Sequence, residues 1–280
     1  MEALRLSPVN LDLPTKAGRS VFSTGVNAAS RIRLLFCMDT YCSTYDDLIM
    51  CEKHGAYRKI SVCGVVMRCP KCSKDSFLEE EKRERNRKKQ EIIAKSGIPI
   101  RFADRTFDTF SVSNQGQQRA LDIVTRYAES LPNDGQCLIM SGGFGVGKTH
   151  LAVALMQHAA ENGVSSIYTT TYCMIRRIRE TWKNNAAETE RAAICAFTSP
   201  DVLVLDEVGV QNNTESEKLI LFDIMNSRYD NRKSTVLLSN FHPRKLSEFL
   251  GERVSDRLRE DNVIVMHMKW ESHRVKDKYS

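Results

Sequence analysis

A glycine-rich stretch near the middle of this 280-residue chain constrains its fold more than any other feature. Residues 142–149 read Gly-Gly-Phe-Gly-Val-Gly-Lys-Thr and follow an apolar run at 137–140. A glycine-rich turn between a strand and a helix lets several backbone N–H groups converge on phosphate oxygens, and side chains in the turn would block that approach. The pattern therefore predicts a site for ATP. Its predicted binding residues are Gly142, Gly143, Phe144, Gly145, Val146, Gly147, Lys148, Thr149 and His150.

Two acidic residues downstream indicate hydrolysis as well as binding. We expect Lys148 to contact the β- and γ-phosphates and Thr149 to hold Mg²⁺ through its hydroxyl. The apolar run 202–205 ends in Asp206, which would hold the same Mg²⁺ through its water shell. The next residue, Glu207, is the predicted base that orients or activates the attacking water. A merely solvated Glu207 is the alternative.

From residue 101 onward, short apolar runs alternate with helical patterns. Such alternation predicts an α/β fold of three layers, in which a parallel sheet is covered by helices on both faces. The nucleotide would lie at the carboxyl ends of the strands. The predicted strands are 137–140, 166–170, 202–205, 235–238 and 263–268. The predicted helices are 116–130, 148–162, 173–182 and 215–230, followed by short helices within 244–259.

The cysteines are concentrated near the N-terminus, where six of the nine lie between Cys37 and Cys72. A chain with an ATP site belongs in a reducing compartment, where clustered cysteines indicate metal rather than disulfides. Two knuckles of the same spacing predict a structural zinc site, with zinc serving as the core of a small unit. The predicted ligands are Cys51, His54, Cys69 and Cys72. Cys63 is a rival ligand, and a second site that uses Cys37 and Cys42 stays open.

Composition and charge divide the chain further. We predict a disordered or mis-assigned leader at 1–36, a zinc-binding module at 37–77, a charged helical linker at 78–100 and an ATPase domain at 101–280. No run of about eighteen apolar residues occurs, so no membrane segment is expected and the predicted location is the cytoplasm. The formal net charge of +6 favours an anionic partner such as nucleic acid.

Four polar residues near the C-terminus are candidates to complete the ATP site. Asn240 ends an apolar strand and could hold the attacking water, or simply turn the chain before Pro243. Arg253 and Arg257 lie four residues apart and could reach the γ-phosphate of a neighbouring subunit, or pair with nearby acids. Arg274 could contact the nucleotide of its own subunit, or belong to a basic tail.

These features together resemble the DnaC family of bacterial and prophage helicase loaders. Besides both knuckles and the phosphate loop, the resemblance is carried by residues 95–99, 101–102, 106–107, 205–209, 238–240, 251–257 and 270–274. It implies an AAA+ domain with Lys148 and Thr149 in Walker A, and Asp206 and Glu207 in Walker B. It further implies Asn240 as sensor 1, Arg253 or Arg257 as the box VII finger, and Arg274 as sensor 2.

The family resemblance also implies partners. They are a replicative DNA helicase of the DnaB hexamer type, gripped by the N-terminal region, single-stranded DNA, and further copies of the chain that meet at the ATP sites. Cations and aromatics on the helix after the second predicted strand suit single-stranded DNA, although an ordinary amphipathic helix explains them too. Those residues are Tyr172, Arg176, Arg177, Arg179 and Trp182.

Two other functions fit the same residues. One is an IstB-like helper ATPase of transposition, which would form ATP-dependent filaments on duplex DNA. The other is a zinc-bearing DNA-binding regulator that uses ATP as a structural ligand.

Overall fold

The computed structural model describes residues 42–62, 65–132, 135–210, 214–251, 254–257 and 263–272. The chain divides into two compact units, residues 1–77 and 78–280. The finer division into leader, zinc module, linker and ATPase domain stays a prediction, and the leader lies outside the described residues. Within the described part, no helix is both long and apolar enough to cross a membrane.

The first unit is built on an antiparallel sheet of three strands. The strands are β1 (Cys42–Cys51), β2 (Gly55–Val62) and β3 (Val65–Val66), in that order. A tight turn joins β1 to β2, where Gly55 takes a φ of +74° that suits glycine. Apolar side chains on the sheet stay exposed, Leu48 at 66% and Met50 at 75%. Burial of apolar surface therefore contributes little to the stability of this unit.

A long helix, α1 (Pro70–Lys95), follows β3. It begins in the second knuckle, N-terminal to the predicted linker, with a proline at its first position, where the missing N–H costs nothing. Its charged run forms ion pairs at helical spacing, such as Arg87 with Glu84 and Glu91. The helix ends before Gly97, whose φ is +70°.

The second unit contains a five-stranded parallel sheet in the order β5-β6-β7-β4-β8. Its strands are β4 (Cys137–Gly142), β5 (Ser166–Thr170), β6 (Val202–Asp206), β7 (Ser234–Ser239) and β8 (Ile264–Met268). All neighbouring strands are parallel, with β7 in the middle and β5 and β8 outermost. The carboxyl ends of β4, β6 and β7 therefore lie together on the same side of the sheet, which confirms the predicted α/β architecture.

Helices cover both faces of this sheet, as predicted. They are α2 (Gln115–Glu129), α3 (Lys148–Glu161), α4 (Thr171–Glu180), α5 (Glu190–Thr198), α6 (Glu215–Asp230) and α7 (Pro243–Leu250). Strand residues alternate between two cores. Leu138 and Met140 pack with α2 and α3, whereas Cys137 and Ile139 pack with α4 to α7. The three layers are therefore helices, sheet, helices.

The predicted elements of the second unit agree closely with this fold. Strand 166–170 and helix 215–230 have the predicted bounds. Helix α5 has no predicted bounds, because its nine residues give few turns over which a periodicity can show. Thr189 begins it by accepting a hydrogen bond from the Ala192 backbone N–H.

Candidate functional site

The glycine-rich loop lies at the carboxyl end of β4 and leads into the N-terminus of α3. Two of its glycines are required by close packing. A Cβ on Gly147, whose φ is +101°, would lie 2.7 Å from the Phe110 ring, and one on Gly142 would lie 2.5 Å from the Met268 carbonyl oxygen. Only glycine therefore fits at these two positions of the loop.

Lys148 is buried at the centre of this loop. Its Nζ donates to the carbonyl oxygens of Gly142, at 2.8 Å, and Gly143, at 2.7 Å. It also donates to Oδ1 of Asn240 at 2.8 Å. Since Asn240 follows β7, the contact joins the loop to the end of the neighbouring strand and places both predicted residues in one site.

Thr149 and Asp206 lie together, as a shared magnesium site requires. The Thr149 hydroxyl donates to Oδ2 of Asp206 at 3.0 Å, and the Glu207 backbone N–H donates to Oδ1 at 2.7 Å. Because the Thr149 hydrogen points at Asp206, its oxygen lone pairs stay available to a cation. A hydroxyl and a carboxylate are the oxygen ligands that Mg²⁺ prefers, so these residues fit that ion.

Glu207 has a left-handed backbone, with a φ of +58°. This conformation costs a non-glycine residue about 1–3 kcal/mol and persists only where its surroundings enforce it. The following turn is held to β7, since the Val208 backbone N–H donates to Leu238 and Ser239 Oγ donates to the Val208 carbonyl oxygen. The exposed Glu207 carboxylate is therefore presented beside the phosphate loop by a fixed turn.

A cavity of about 320 Å³ lies against the loop. Its other side is formed by the segment between the end of α1 and α2, which we call the pocket wall (residues 102–111). Its lining residues are Phe102, Arg105, Thr109, Phe110, Ser111, Gly145, Gly147, Lys148, Thr149 and His150. A cleft that combines two aromatic rings with several polar side chains beside a phosphate cradle suits the base and sugar of a nucleotide.

His150 connects the pocket wall to α3. Its Nε2 lies 3.0 Å from the Thr106 carbonyl oxygen and 3.2 Å from Thr109 Oγ1, and its ring packs edge-on against Phe110. His150 therefore supports the wall, and direct contact with the nucleotide stays a prediction.

Trp270 supports the loop from the other side and was not singled out from the sequence. Its indole N–H donates to the Val146 carbonyl oxygen at 2.9 Å. Arg274, the predicted site residue of the same motif, lies outside the described residues.

Of the two candidate finger arginines, the structure describes Arg257. Arg253 lies outside the described residues. Arg257 is exposed and stacks on the Tyr229 ring at 4.8 Å, beside Gly135 and Thr235 near the N-terminal ends of β4 and β7. This edge is opposite the phosphate loop, so Arg257 cannot serve the nucleotide of its own subunit.

Helix α4 divides its cations into two groups. Arg177 is bidentate to Glu188, and Arg179 bonds Glu217, so both arginines brace neighbouring segments. The buried Met174, Ile175 and Ile178 confirm the amphipathic alternative for the opposite face. Tyr172 and Arg176 remain exposed, beside a cleft of about 330 Å³ that Lys183 also lines.

In the first unit, the four predicted zinc ligands lie together. Their ligand atoms are all within 4.8 Å of one another. The distance between Sγ of Cys51 and Sγ of Cys72 is 3.5 Å. The three sulfur atoms lie 3.3 to 3.8 Å from His54 Nδ1. A tetrahedron with Zn–S bonds of about 2.3 Å has edges of about 3.8 Å. The cluster therefore fits zinc, and among the described residues no other such group occurs.

Asp75 adds a second layer to this cluster. Its Oδ2 lies 3.1 Å from His54 Nε2, so a carboxylate holds the ring with Nδ1 facing the sulfurs. Hydrogen bonds, the largest from the Lys53 backbone N–H and the next from Cys72, lower the pKa of the Cys51 thiol to about 6. The same Cys51–Cys72 contact raises the pKa of Cys72 to about 11, so Cys51 is the thiolate of this pair. The sequence pattern gave the ligands but not Asp75, which lies on α1. Of the rival ligands, Cys37 and Cys63 lie outside the described residues, as does the Cys42 side chain.

The strand order, the phosphate loop and the acidic strand end define an AAA+ ATP-binding domain. Residues 71–280 match the family described as IstB-like ATP binding protein. The replicative helicase loader DnaC of Buchnera aphidicola (subspecies Schizaphis graminum) is 32% identical over 202 residues, 72% of this chain and 81% of that protein. DnaC of Escherichia coli K12 is 30% identical over 194 residues, 69% and 79% of the two chains.

Solved structures agree with these sequence relatives. A crystal structure of the DnaC helicase loader aligns with 60% of this chain and 99% of its own, with 27% identity and a TM-score of 0.54. The chain therefore belongs to the IstB-like ATP-binding proteins and, among them, to the DnaC-like family.

Proposed function

We propose that this protein is an ATP-dependent loader of a replicative DNA helicase, in the cytoplasm, and that ATP binding and hydrolysis control its assembly and release. The observation that carries the proposal is the convergence of Lys148, Thr149, Asp206 and Asn240 from three strand ends beside a pocket of nucleotide size. We infer the helicase partner from the relatives, because this chain matches about four fifths of the length of two proteins named replicative helicase loaders.

The residues at the site divide the work on ATP. Lys148 would place its positive charge on the β- and γ-phosphates. Its ammonium now donates to the Gly142 and Gly143 carbonyl oxygens and to Asn240. Thr149 and Asp206 would hold Mg²⁺, which supplies positive charge to the β- and γ-phosphates. We assign the orientation of the attacking water to Glu207 and Asn240, because Glu207 follows Asp206 directly and Asn240 accepts from Lys148.

The finger arginine is assigned to a neighbouring copy of the chain. Arg257 lies at the edge of the sheet opposite the nucleotide, so it can act only between subunits, and Arg253 and Arg274 keep their predicted roles as finger alternative and sensor. Self-assembly through the ATP sites follows, because hydrolysis would then need a residue from the next subunit.

The first unit is proposed to bind zinc through Cys51, His54, Cys69 and Cys72 and to grip the helicase. The cluster supports the metal by its distances and by Asp75 behind His54. Zinc here would act as structure rather than catalyst, since all four ligand positions come from the protein.

Single-stranded DNA is proposed to bind along α4, through Tyr172 and Arg176. An exposed aromatic ring beside a cation suits stacking on a base together with contact to phosphate. Arg177 and Arg179 are assigned to structure instead, because they bond Glu188 and Glu217 on neighbouring segments. The ion pair of Arg176 is with Glu180 on its own helix, and both side chains of this pair are exposed.

The test is capture of the host replicative helicase by the full chain, with and without ATP, followed by assembly of that helicase on circular single-stranded DNA. Lys148→Ala should abolish the effect of ATP on loading, and Lys218→Ala, an exposed surface change, should leave it intact. Binding of the chain itself to the same single-stranded DNA should be weakened more by Tyr172→Ala than by Arg177→Ala. Absence of a helicase complex under every nucleotide condition would refute the loader function.

A second candidate is favoured by the family match itself, which is to IstB-like proteins. A helper ATPase of transposition would form ATP-dependent filaments on duplex DNA and would not bind the helicase. Electron microscopy of the chain with ATP and duplex DNA separates the two functions. Full function of Glu207→Gln would instead indicate a regulator that uses ATP only as a structural ligand.

A further inference from the structure

Tyr168 connects two parts of the second unit that the motifs leave unrelated. It lies on β5, the edge strand, two residues before Thr170, whose register partner is Asp206. Its side chain is buried and its hydroxyl donates to Oδ2 of Asp206 at 2.6 Å. The same oxygen accepts the Thr149 hydroxyl.

The Tyr168 hydroxyl is held in place by burial of its ring, so its O–H stays directed at Asp206 Oδ2. A carboxylate held by Tyr168 and by the Glu207 backbone N–H has little freedom to rotate. Its orientation in turn fixes the direction of the Thr149 hydroxyl and hence of the lone pairs that a cation would meet.

The backbone of Tyr168 contacts the end of the long helix α1. Its N–H donates to the Ser96 carbonyl oxygen at 2.6 Å, and Ser96 is fully buried. On Gly97, whose φ is +70°, an added Cβ would lie 2.7 Å from the Tyr168 carbonyl oxygen. The Ser96–Gly97 junction therefore contacts the backbone of Tyr168, whose side chain donates to Asp206.

We propose that Tyr168 is a positioning residue of the magnesium site and that it couples Asp206 to the Ser96–Gly97 junction where α1 ends. The proposal rests on the ATP and magnesium chemistry proposed above. It assigns the edge strand a role beyond packing: cation binding at Asp206 and the position of the α1 end influence each other through one side chain.

The test measures Mn²⁺ in place of Mg²⁺ by electron paramagnetic resonance of the full chain with ADP. Tyr168→Phe should weaken Mn²⁺ binding about tenfold, as losing the partner of a metal-holding group does. Binding of a fluorescent ADP analogue in EDTA should stay unchanged, since the phosphate loop keeps its contacts. The control is Tyr127→Phe, which also loses a buried hydroxyl, the one that donates to the Gln136 carbonyl oxygen.

The coupling is tested by Gly97→Ala against Gly163→Ala. Both glycines have similar φ angles, +70° and +75°, but a Cβ on Gly163 meets nothing within 4 Å. Gly97→Ala should weaken Mn²⁺ binding several-fold, Gly163→Ala should not, and the effects of Gly97→Ala and Tyr168→Phe should be less than additive.

The outcomes are separable from those of the proposed function. A wild-type chain with no nucleotide-dependent Mn²⁺ site would refute the magnesium chemistry itself. Wild-type binding together with unchanged Mn²⁺ affinity in Tyr168→Phe would overturn the positioning role. Additive effects, or a Gly97→Ala chain that loses only thermal stability, would overturn the coupling.

Discussion

The two units of this chain reach a defined site by opposite means. In the second unit the phosphate loop rests on strands whose side chains are almost all buried, and two apolar cores flank the sheet. In the first unit the four metal ligands come from the end of β1, the turn after it and the start of α1, beside a small sheet whose large apolar residues are exposed, such as Leu48, Met50 and Val65. One site is positioned by packing, and the other is positioned by its own ligands.

This difference implies different weak points. A packed core spreads its stability over many contacts, so the loss of one polar group in the site should leave the fold standing. A unit with little buried apolar surface depends on its metal, because binding energy then serves as folding energy. The comparison fails if the first unit keeps its structure without zinc.

Removal of zinc should therefore have the largest effect. Chelation of the full chain, or Cys69→Ser, should unfold the first unit, because structural zinc sites contribute about 10–16 kcal/mol. The second unit should keep its unfolding midpoint. The measurements are zinc content, expected at one per chain, and protection of each unit from limited proteolysis.

The control for this change is Cys173→Ser, which alters an exposed thiol of the second unit. It should keep the full zinc content. Wild-type zinc content in Cys69→Ser, or two zinc ions per chain in the wild type, would show that the ligand set is wrong.

The second unit should instead be most sensitive at a buried arginine. Arg228 on α6 is 1% exposed and donates to Thr235 Oγ1 and to the carbonyl oxygens of Phe197 and Pro200. Burial lowers its pKa to about 10, which still leaves it charged at neutral pH. Arg228→Met would strip these carbonyls of their donors and cost about 3–5 kcal/mol.

Chemical denaturation of the full zinc-loaded chain measures this loss in the second unit. Arg126→Met, an exposed change on α2, should cost less than about 0.5 kcal/mol. An equal effect of the two substitutions would mean that the hydrogen bonds of buried Arg228 do not stabilise the second unit. Packing would then explain less of the difference in stability between the two units.

Much of the second unit could be predicted because its signals are local. The phosphate loop lies within eight consecutive residues, and each strand appears as a short apolar run beside a helical pattern. The alternation of these elements also dictates the layers, and the convergence of Lys148, Asp206 and Asn240 follows from parallel strands ending at one edge.

The unpredicted contacts share another property, since they depend on register and packing between distant segments. Tyr168 and Asp206 are 38 positions apart and meet only because β5 pairs with β6 in one register. Trp270 reaches Val146 across 124 positions. A tyrosine in an apolar strand or a tryptophan after one is usually core, so composition alone could not assign either residue to the site.

The smallest expected effect is a loss of zinc affinity that leaves the first unit folded. Asp75→Asn keeps the shape of the side chain but removes the charge that holds His54 Nε2. Loss of such a partner reduces zinc affinity about tenfold. Competition with a chelator of known affinity measures the change, with Asp47→Asn on β1 as an exposed control. Since the ligands alone should still hold the ion, the first unit should stay folded at saturating zinc; unfolding there would mean that the carboxylate, and not only the four ligands, maintains the fold.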